Sequence, residues 1–206
     1  MFFIGWQNFS SGKSLNSLWV NFLFVMQPDF LKTGKKESFS TWKFRTFINW
    51  YPMYFGTGGK ILFWASDSSE VHLRLRLNIW TYNYVGTIFG GSFFSAADPF
   101  YMLMLIRSLG SNYVVWDKSA NIRFKKPGKA TLFARFLLTE TDFKEIKEVV
   151  TQDGETTRIF VIQWKDKNGV VHAEIERLCY IADAEFYKKK KGEVQNAKLT
   201  FNRKSS

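Results

Sequence analysis

The sequence predicts an α+β fold in which an antiparallel sheet curls around one long buried helix. Three observations predict it. Ser92 to Leu109 is the longest apolar stretch, with Asp98 and Arg107 as its only charges, and a helix apolar on all sides is a buried one. Val71, Leu73, Leu75 and Leu77 alternate with His72, Arg74 and Arg76, the period of a half-buried strand. Beyond Tyr113 the chain reads as strands, and Asp166-Lys167-Asn168-Gly169 reads as a hairpin turn. One long helix among such strands packs best with the sheet wrapped around it.

The elements follow in order. Residues 1–30 are Phe-rich and turn-rich without a sustained period. Ser40 to Tyr51 is a short helix with Trp42, Phe44, Phe47, Ile48 and Tyr51 on its apolar side. A glycine loop, Tyr54 to Lys60, leads to a strand pair, Lys60 to Ser66 and Val71 to Leu77. The loop Asn83 to Gly91 enters the central helix, and Gly110 stops it. Strands follow at Tyr113 to Lys118, Asn121 to Lys126, Thr131 to Thr139, Thr157 to Asp166 and Val170 to Ile181. Between them Asp142 to Val150 reads as a short helix capped by Asp142, with Glu145 three residues on. No linker divides the chain, so the domains expected are an N-terminal extension, 1–30, a single folded unit, 31–184, and a basic tail, 185–206. The extension reads as loosely docked, or as preceding a natural start at Met26.

Composition excludes several classes. The chain has 206 residues, 46% hydrophobic and 23% charged, which excludes global disorder. Aromatics make up 18%, with 22 Phe, and predict a Phe-rich core or pocket. One cysteine, Cys179, excludes an intrachain disulfide, and two histidines, His72 and His172, argue against a thiolate or imidazole metal cage. No metal and no cofactor is expected. Leu15 to Met26 is apolar but short and interrupted by Asn16 and Asn21; a membrane span needs about 20 apolar residues. No signal-peptide pattern precedes it, so the expected location is cytoplasmic. The net charge is +11, of which +5 lies beyond Ala184, including Lys188 to Lys191. That run reads as a solvated, frayed end. A nucleic-acid binder would need aromatics exposed beside the basic residues, whereas most here fall at apolar-periodic positions.

Other signals carry little chemistry. Gly12-Lys13-Ser14 imitates the end of a phosphate loop, but Gln7 stands where the loop should begin. His72 faces away from the apolar side of its strand and reads as exposed. His172 reads as a surface or satisfied histidine, and Cys179, between Leu178 and Tyr180, as a small buried apolar residue.

The chemistry concentrates in Asn83 to Gly91 and the helix that follows. Gly90 and Gly91 stand at a helix entrance, where backbone N–H groups lack intrahelical partners and carry the positive dipole end. Such an end can hold a carbonyl oxygen as it becomes an oxyanion, and Asn83 adds an amide donor. Asp98 is a lone carboxylate among Phe93, Phe94, Ala96, Ala97, Phe100, Met102 and Leu103. Desolvation there would raise its pKa, which suits a general base. Pro99 beside it should kink the helix. The alternative is that Asp98 caps the second half of a broken helix, with Pro99 at its first position.

These residues resemble a family. Asn83-x-x-Gly86-Thr87-x-x-Gly90-Gly91, with Asp98 seven residues on, resembles the motif of the hotdog-fold acyl-CoA thioesterases of the phenylacetate-degradation type. Ile122 to Gly128 resembles that family's strand ending in Lys-Pro, and Asp166, Gly169 and Ala173 resemble its hairpin. The nearest match is a poorly characterised bacterial branch, a domain of unknown function often called tetrameric acyl-CoA thioesterase. The resemblance spans about Thr41 to Ala182. It implies a hydrolase giving acid and thiol, with Asp98, Asn83 and Gly90 catalytic. Gly86, Thr87, Phe89, Gly91, Lys125 and Lys126 would bind substrate. It also implies a homodimer or dimer of dimers sharing its sites. Phe89 replaces the family's histidine, and no water-orienting Ser or Thr stands near Trp116. A non-catalytic acyl-binding protein is the alternative.

Overall fold

The computed structural model describes residues 28–193. The expectations for residues 1–27 and 194–206 lie outside the described residues. A short 3-10 turn, Asp29–Leu31, precedes helix α1, Phe39–Trp50, and the single-turn α2, Pro52–Phe55. Ser38 starts α1 through a reciprocal capping box: its hydroxyl accepts from Thr41 N–H (3.1 Å) and its own N–H donates to the Thr41 hydroxyl (3.0 Å). Strands β1, Gly59–Trp64, and β2, Glu70–Leu75, form a hairpin; α3, Gly90–Ala97, and α4, Phe100–Leu109, follow. Then come β3, Tyr113–Phe124, β4, Leu132–Leu137, α5, Glu140–Asp153, β5, Glu155–Lys165, and β6, Val171–Asp183. Residues 184–193 are helical.

The six strands form one antiparallel sheet in the order β1-β2-β4-β5-β6-β3. Long registers join β6 to β5 and β3, whereas β4 meets β5 through the single pair Phe133 and Lys165. The sheet wraps α3 and α4, which is the hotdog arrangement. Phe93, Ala96, Ala97, Phe100, Met104 and Leu105 of the helices are buried against its inner face.

The expected single helix is two. Pro99 has no N–H to give the Ser95 carbonyl, so Asp98 N–H takes it instead in a tighter turn with a long bond (3.3 Å), and the axis breaks between α3 and α4. The break also frees the Ala96 carbonyl to accept from the Tyr54 hydroxyl (3.3 Å). The two strands expected over 113–126 are one, because a bulge between Asp117 and Ser119 shifts the register without ending it. Thr139, not Asp142, caps α5: Asp142 sits three residues in and bonds back to the Thr139 N–H (2.7 Å).

His72 is buried, at 1% exposure, rather than exposed. The outer face of β2 is covered by the segment leading into α1. Leu31 of that segment is buried, and Thr33 donates to Glu70 (2.9 Å). Glu70, equally buried, bonds both His72 (2.7 Å) and Arg135 (2.7 Å). The run Lys188 to Lys191 is not frayed: it lies in the terminal helix, and Lys190 pairs with Glu155 (2.6 Å). The aromatic residues also divide differently from expectation. Many are core, but Phe39, Phe47, Trp50, Phe55 and Trp80 are exposed around α1 and the loop after β2.

Candidate active site

The loop before α3 is closed by Asn83. Its Oδ1 accepts from Val85 N–H (3.1 Å) and Thr87 N–H (2.9 Å), and its Nδ2 donates to the Thr87 hydroxyl (2.9 Å). Gly86 turns the loop at a φ of +80°, a region costly for other residues. The loop is then pinned on both sides: Ile88 N–H bonds the Gly128 carbonyl (2.8 Å) and Phe89 N–H the Thr81 carbonyl (2.7 Å). Asn83, Gly86 and Thr87 thus act together to deliver the chain into α3.

Gly90 and Gly91 open α3, with no side chain capping it. Two rings crowd this end. A Cβ on Gly90 would lie 3.0 Å from Phe124 Cζ, and one on Gly91 would lie 2.2 Å from Phe89 Cε1. Glycine is what lets both rings approach. Lys125 and Lys126 continue past Phe124 as exposed residues, and their N–H groups both bond the His172 carbonyl (2.8 and 3.1 Å). His172 is itself satisfied, by the Pro127 carbonyl (3.0 Å) and Asp166 (3.4 Å).

Asp98 ends α3. Its side chain is 53% exposed in the single chain, so the burial expected to desolvate it is absent. Nor does it cap α4, which has no side-chain cap. Instead its Oδ1 accepts from Arg177 Nη2 (2.8 Å), and the same nitrogen donates to Asp117 Oδ2 (2.6 Å). Arg177 is buried beneath both carboxylates and beside the Phe94 ring (5.6 Å). Burial opposes its charge, but the hydrogen bonds to Asp98 and Asp117 outweigh burial and hold its pKa above the ordinary value. Its Nε and Nη1 are buried with no hydrogen-bond partner among the described residues. Cys179 donates its S–H to Asp117 Oδ1 (3.1 Å). Burial and that carboxylate push the thiol well up, so it stays protonated and is not a nucleophile.

Both ends of α3 therefore reach β3, Gly90 at Phe124 and Asp98 at Asp117 through Arg177. Strand β3 is the sheet's edge, with β6 as its one neighbour among the described residues. Arg177 and Asp117 were not anticipated from the sequence, yet the signal was there. Arg177 stands in phase with the buried Ile175 and Cys179, and Asp117 in phase with the buried Val115. A charge on the apolar face of a strand demands a partner.

Residues 40–181 match the family described as Domain of unknown function (DUF4442). The chain belongs to that family. Among solved structures, the DUF4442 chain is similar to a Pseudomonas aeruginosa protein of unknown function termed a probable thioesterase. The two share 17% identity and a TM-score of 0.62, over 73% of this chain and 99% of that one. A Chlorobaculum tepidum protein of unknown function shares 14% identity and a TM-score of 0.55, over 68% and 93%. A Haemophilus influenzae thioesterase shares 12% identity and a TM-score of 0.53, over 73% and 96%. These likenesses bear out the hotdog fold. A search of curated proteins finds no match. No helix among the described residues is long and apolar enough to cross a membrane.

Proposed function

We propose that this DUF4442 chain hydrolyses acyl-CoA or a related acyl thioester to an acid and a thiol, in the manner of the phenylacetate-degradation type. The unit is a cytoplasmic homodimer, or a dimer of dimers, with shared sites. One observation carries the reading: the carboxylate of Asp98 and the free N–H end at Gly90 lie at opposite ends of one short helix, and both abut the open strand β3. The ends of an eight-residue helix are about 12 Å apart. A base and an oxyanion donor must come within about 3 Å of the reacting group. Two β3 edges paired antiparallel about a two-fold axis would bring Asp98 of one chain toward Gly90 of the other, and would bury the exposed Trp116 and Phe124.

In that site Asp98 takes a proton from water, whose oxygen attacks the thioester carbonyl carbon. The carbonyl oxygen, now negative, accepts from Gly90 N–H. The C–S bond breaks, the acid is released, and the thiolate leaves with the proton. Arg177 aligns Asp98, and its two unpartnered buried donors support an acceptor arriving from substrate or a second chain. Gly91, Phe89, Gly86 and Thr87 shape the acyl side; Lys125 and Lys126, exposed nearby, attract the anionic carrier.

One observation favours the second reading, an acyl-binding protein without turnover. The Phe89 ring stands where the phenylacetate-type thioesterases that the motif resembles carry a histidine, and it lies directly over Gly91. Assay of thiol release from acyl-CoAs of graded length separates the two. Wild type turns over and Asp98→Asn loses about 10²–10⁴-fold in kcat with its melting temperature little changed. Saturable binding without turnover in wild type establishes the second reading, and equal turnover in the variant refutes Asp98 as base.

A further inference from the structure

A cleft of about 400 Å³ lies on the face of β1 and β2 turned away from α3 and α4. Asp98, Asp117 and Arg177 are not among its lining residues. Four cations line it: Arg45 from α1, Lys60 from β1, and Arg74 and Arg76 from β2 and its continuation. Lys60 and Arg74 are direct cross-strand partners, and like charges so placed destabilise a sheet. Arg76, two residues on, shares the face of Arg74. Arg45 alone has a carboxylate, Glu37 (2.6 Å). Lys60, Arg74 and Arg76 form no ion pair among the described residues. Burial, then the neighbouring arginines, hold the Lys60 ammonium below its ordinary pKa, and burial, then Arg76, does the same to Arg74. These cations repel one another on one face of the hairpin, with Arg74 partly buried and Lys60 and Arg76 exposed, an arrangement an anion would relieve.

The rest of the cleft is aromatic. Trp50 and Phe55 stack in parallel at 6.3 Å, with 7° between ring planes, and form one wall. Trp80, 79% exposed, stands on the loop opposite. Large exposed rings beside unpaired cations suit a flat ring bearing phosphate. The volume suits one small molecule rather than a nucleic-acid strand.

We propose that this cleft binds a nucleotide, its phosphates held by Lys60, Arg74 and Arg76 and its base against Trp80. The site stands whether or not Asp98 hydrolyses a thioester. Full-length protein is titrated with ADP, adenosine and pyrophosphate, by calorimetry and tryptophan fluorescence. ADP binds saturably and quenches fluorescence, and adenosine binds at least about tenfold more weakly. Arg74→Gln and Arg76→Gln each weaken ADP about tenfold or more. Arg74→Gln also raises the melting temperature of the ligand-free protein, because it removes the Lys60–Arg74 repulsion. Trp80→Ala weakens ADP but leaves pyrophosphate unchanged, and Asp98→Asn alters neither. Adenosine matching ADP, ADP binding indifferent to both arginine variants, or absence of saturation overturns the proposal. So does binding of phosphatidylglycerol vesicles or of an oligonucleotide by a protein that ignores ADP.

Discussion

Arg177 holds two carboxylates that would otherwise face each other across β3 and α3. Arg177 is the buried member of this triad, and without it Asp117, at 19% side-chain exposure, is left without a cation while the half-exposed Asp98 turns to water. Arg177→Met should therefore lower stability by about 1–3 kcal/mol in urea unfolding. Asp98→Asn, at a half-exposed position, should cost far less. His72 and Glu70 make a second buried pair, with consequences for pH. Burial lowers the folded pKa of His72 against the opposing pull of Glu70. The folded imidazole thus resists a proton that the unfolded chain accepts below about 6.5. Stability is full above that value and is lost as pH falls toward the lower folded pKa. Burial pushes the Glu70 pKa up, but bonds from His72, Arg135 and Thr33 prevail and lower it. Its contribution is lost in turn as pH falls below about 4.5 through the folded value. Unfolding midpoints measured between pH 7 and 5 should fall in wild type and fall less in His72→Gln; a parallel fall would assign the loss elsewhere. Sequence alternation placed His72 on the correct face of β2. What it could not contain was the cover, since Leu31 and Thr33 are about 40 residues away in the chain and carry no periodic signal.

Helix and strand identities were readable where one face is continuously apolar, and their ends where a local rule acts alone. Pro99 beside Asp98 announced the break between α3 and α4, but not where Asp98 would turn, because that depends on Arg177 79 residues later. The bulge at Lys118 is similarly silent: Asp117-Lys118-Ser119 looks like a polar turn, and only the long pairing with β6 carries the strand through it. At α5 the capping box belongs to Thr139, three residues before the Asp142 that resembles a cap. Thr139→Ala should cost about 1 kcal/mol in thermal or urea unfolding, while Asp142→Asn, which keeps an oxygen in the box, should cost less. The Asn83 motif shows the same limit. Its spacing marked a special loop, and the structure explains the spacing by the bonds from Asn83 to residues 85 and 87.

Across the molecule, the curled sheet leaves β3 as an edge of twelve residues, and α3 lies along it with one chemical group at each end. Long open edges are rarely left unpaired in solution. Of the net charge of +11, +6 lies before Glu185. Part of the excess now has a place, in the cleft over β1 and β2. The sequence hid that site because Arg74 and Arg76 read as the solvated face of an alternating strand, and nothing local placed Lys60, Arg45 and Trp50 around them.

The sharing of sites between two chains is tested by mixing an Asp98→Asn chain with an Asn83→Ala chain, each inactive alone. In random exchange half of the dimers are mixed, and each of these has one intact site of two. Thiol release should therefore recover to about a quarter of the wild-type rate at equal chain concentration. No recovery despite demonstrated subunit exchange, or full activity in a chain shown to be monomeric, would contradict the shared site.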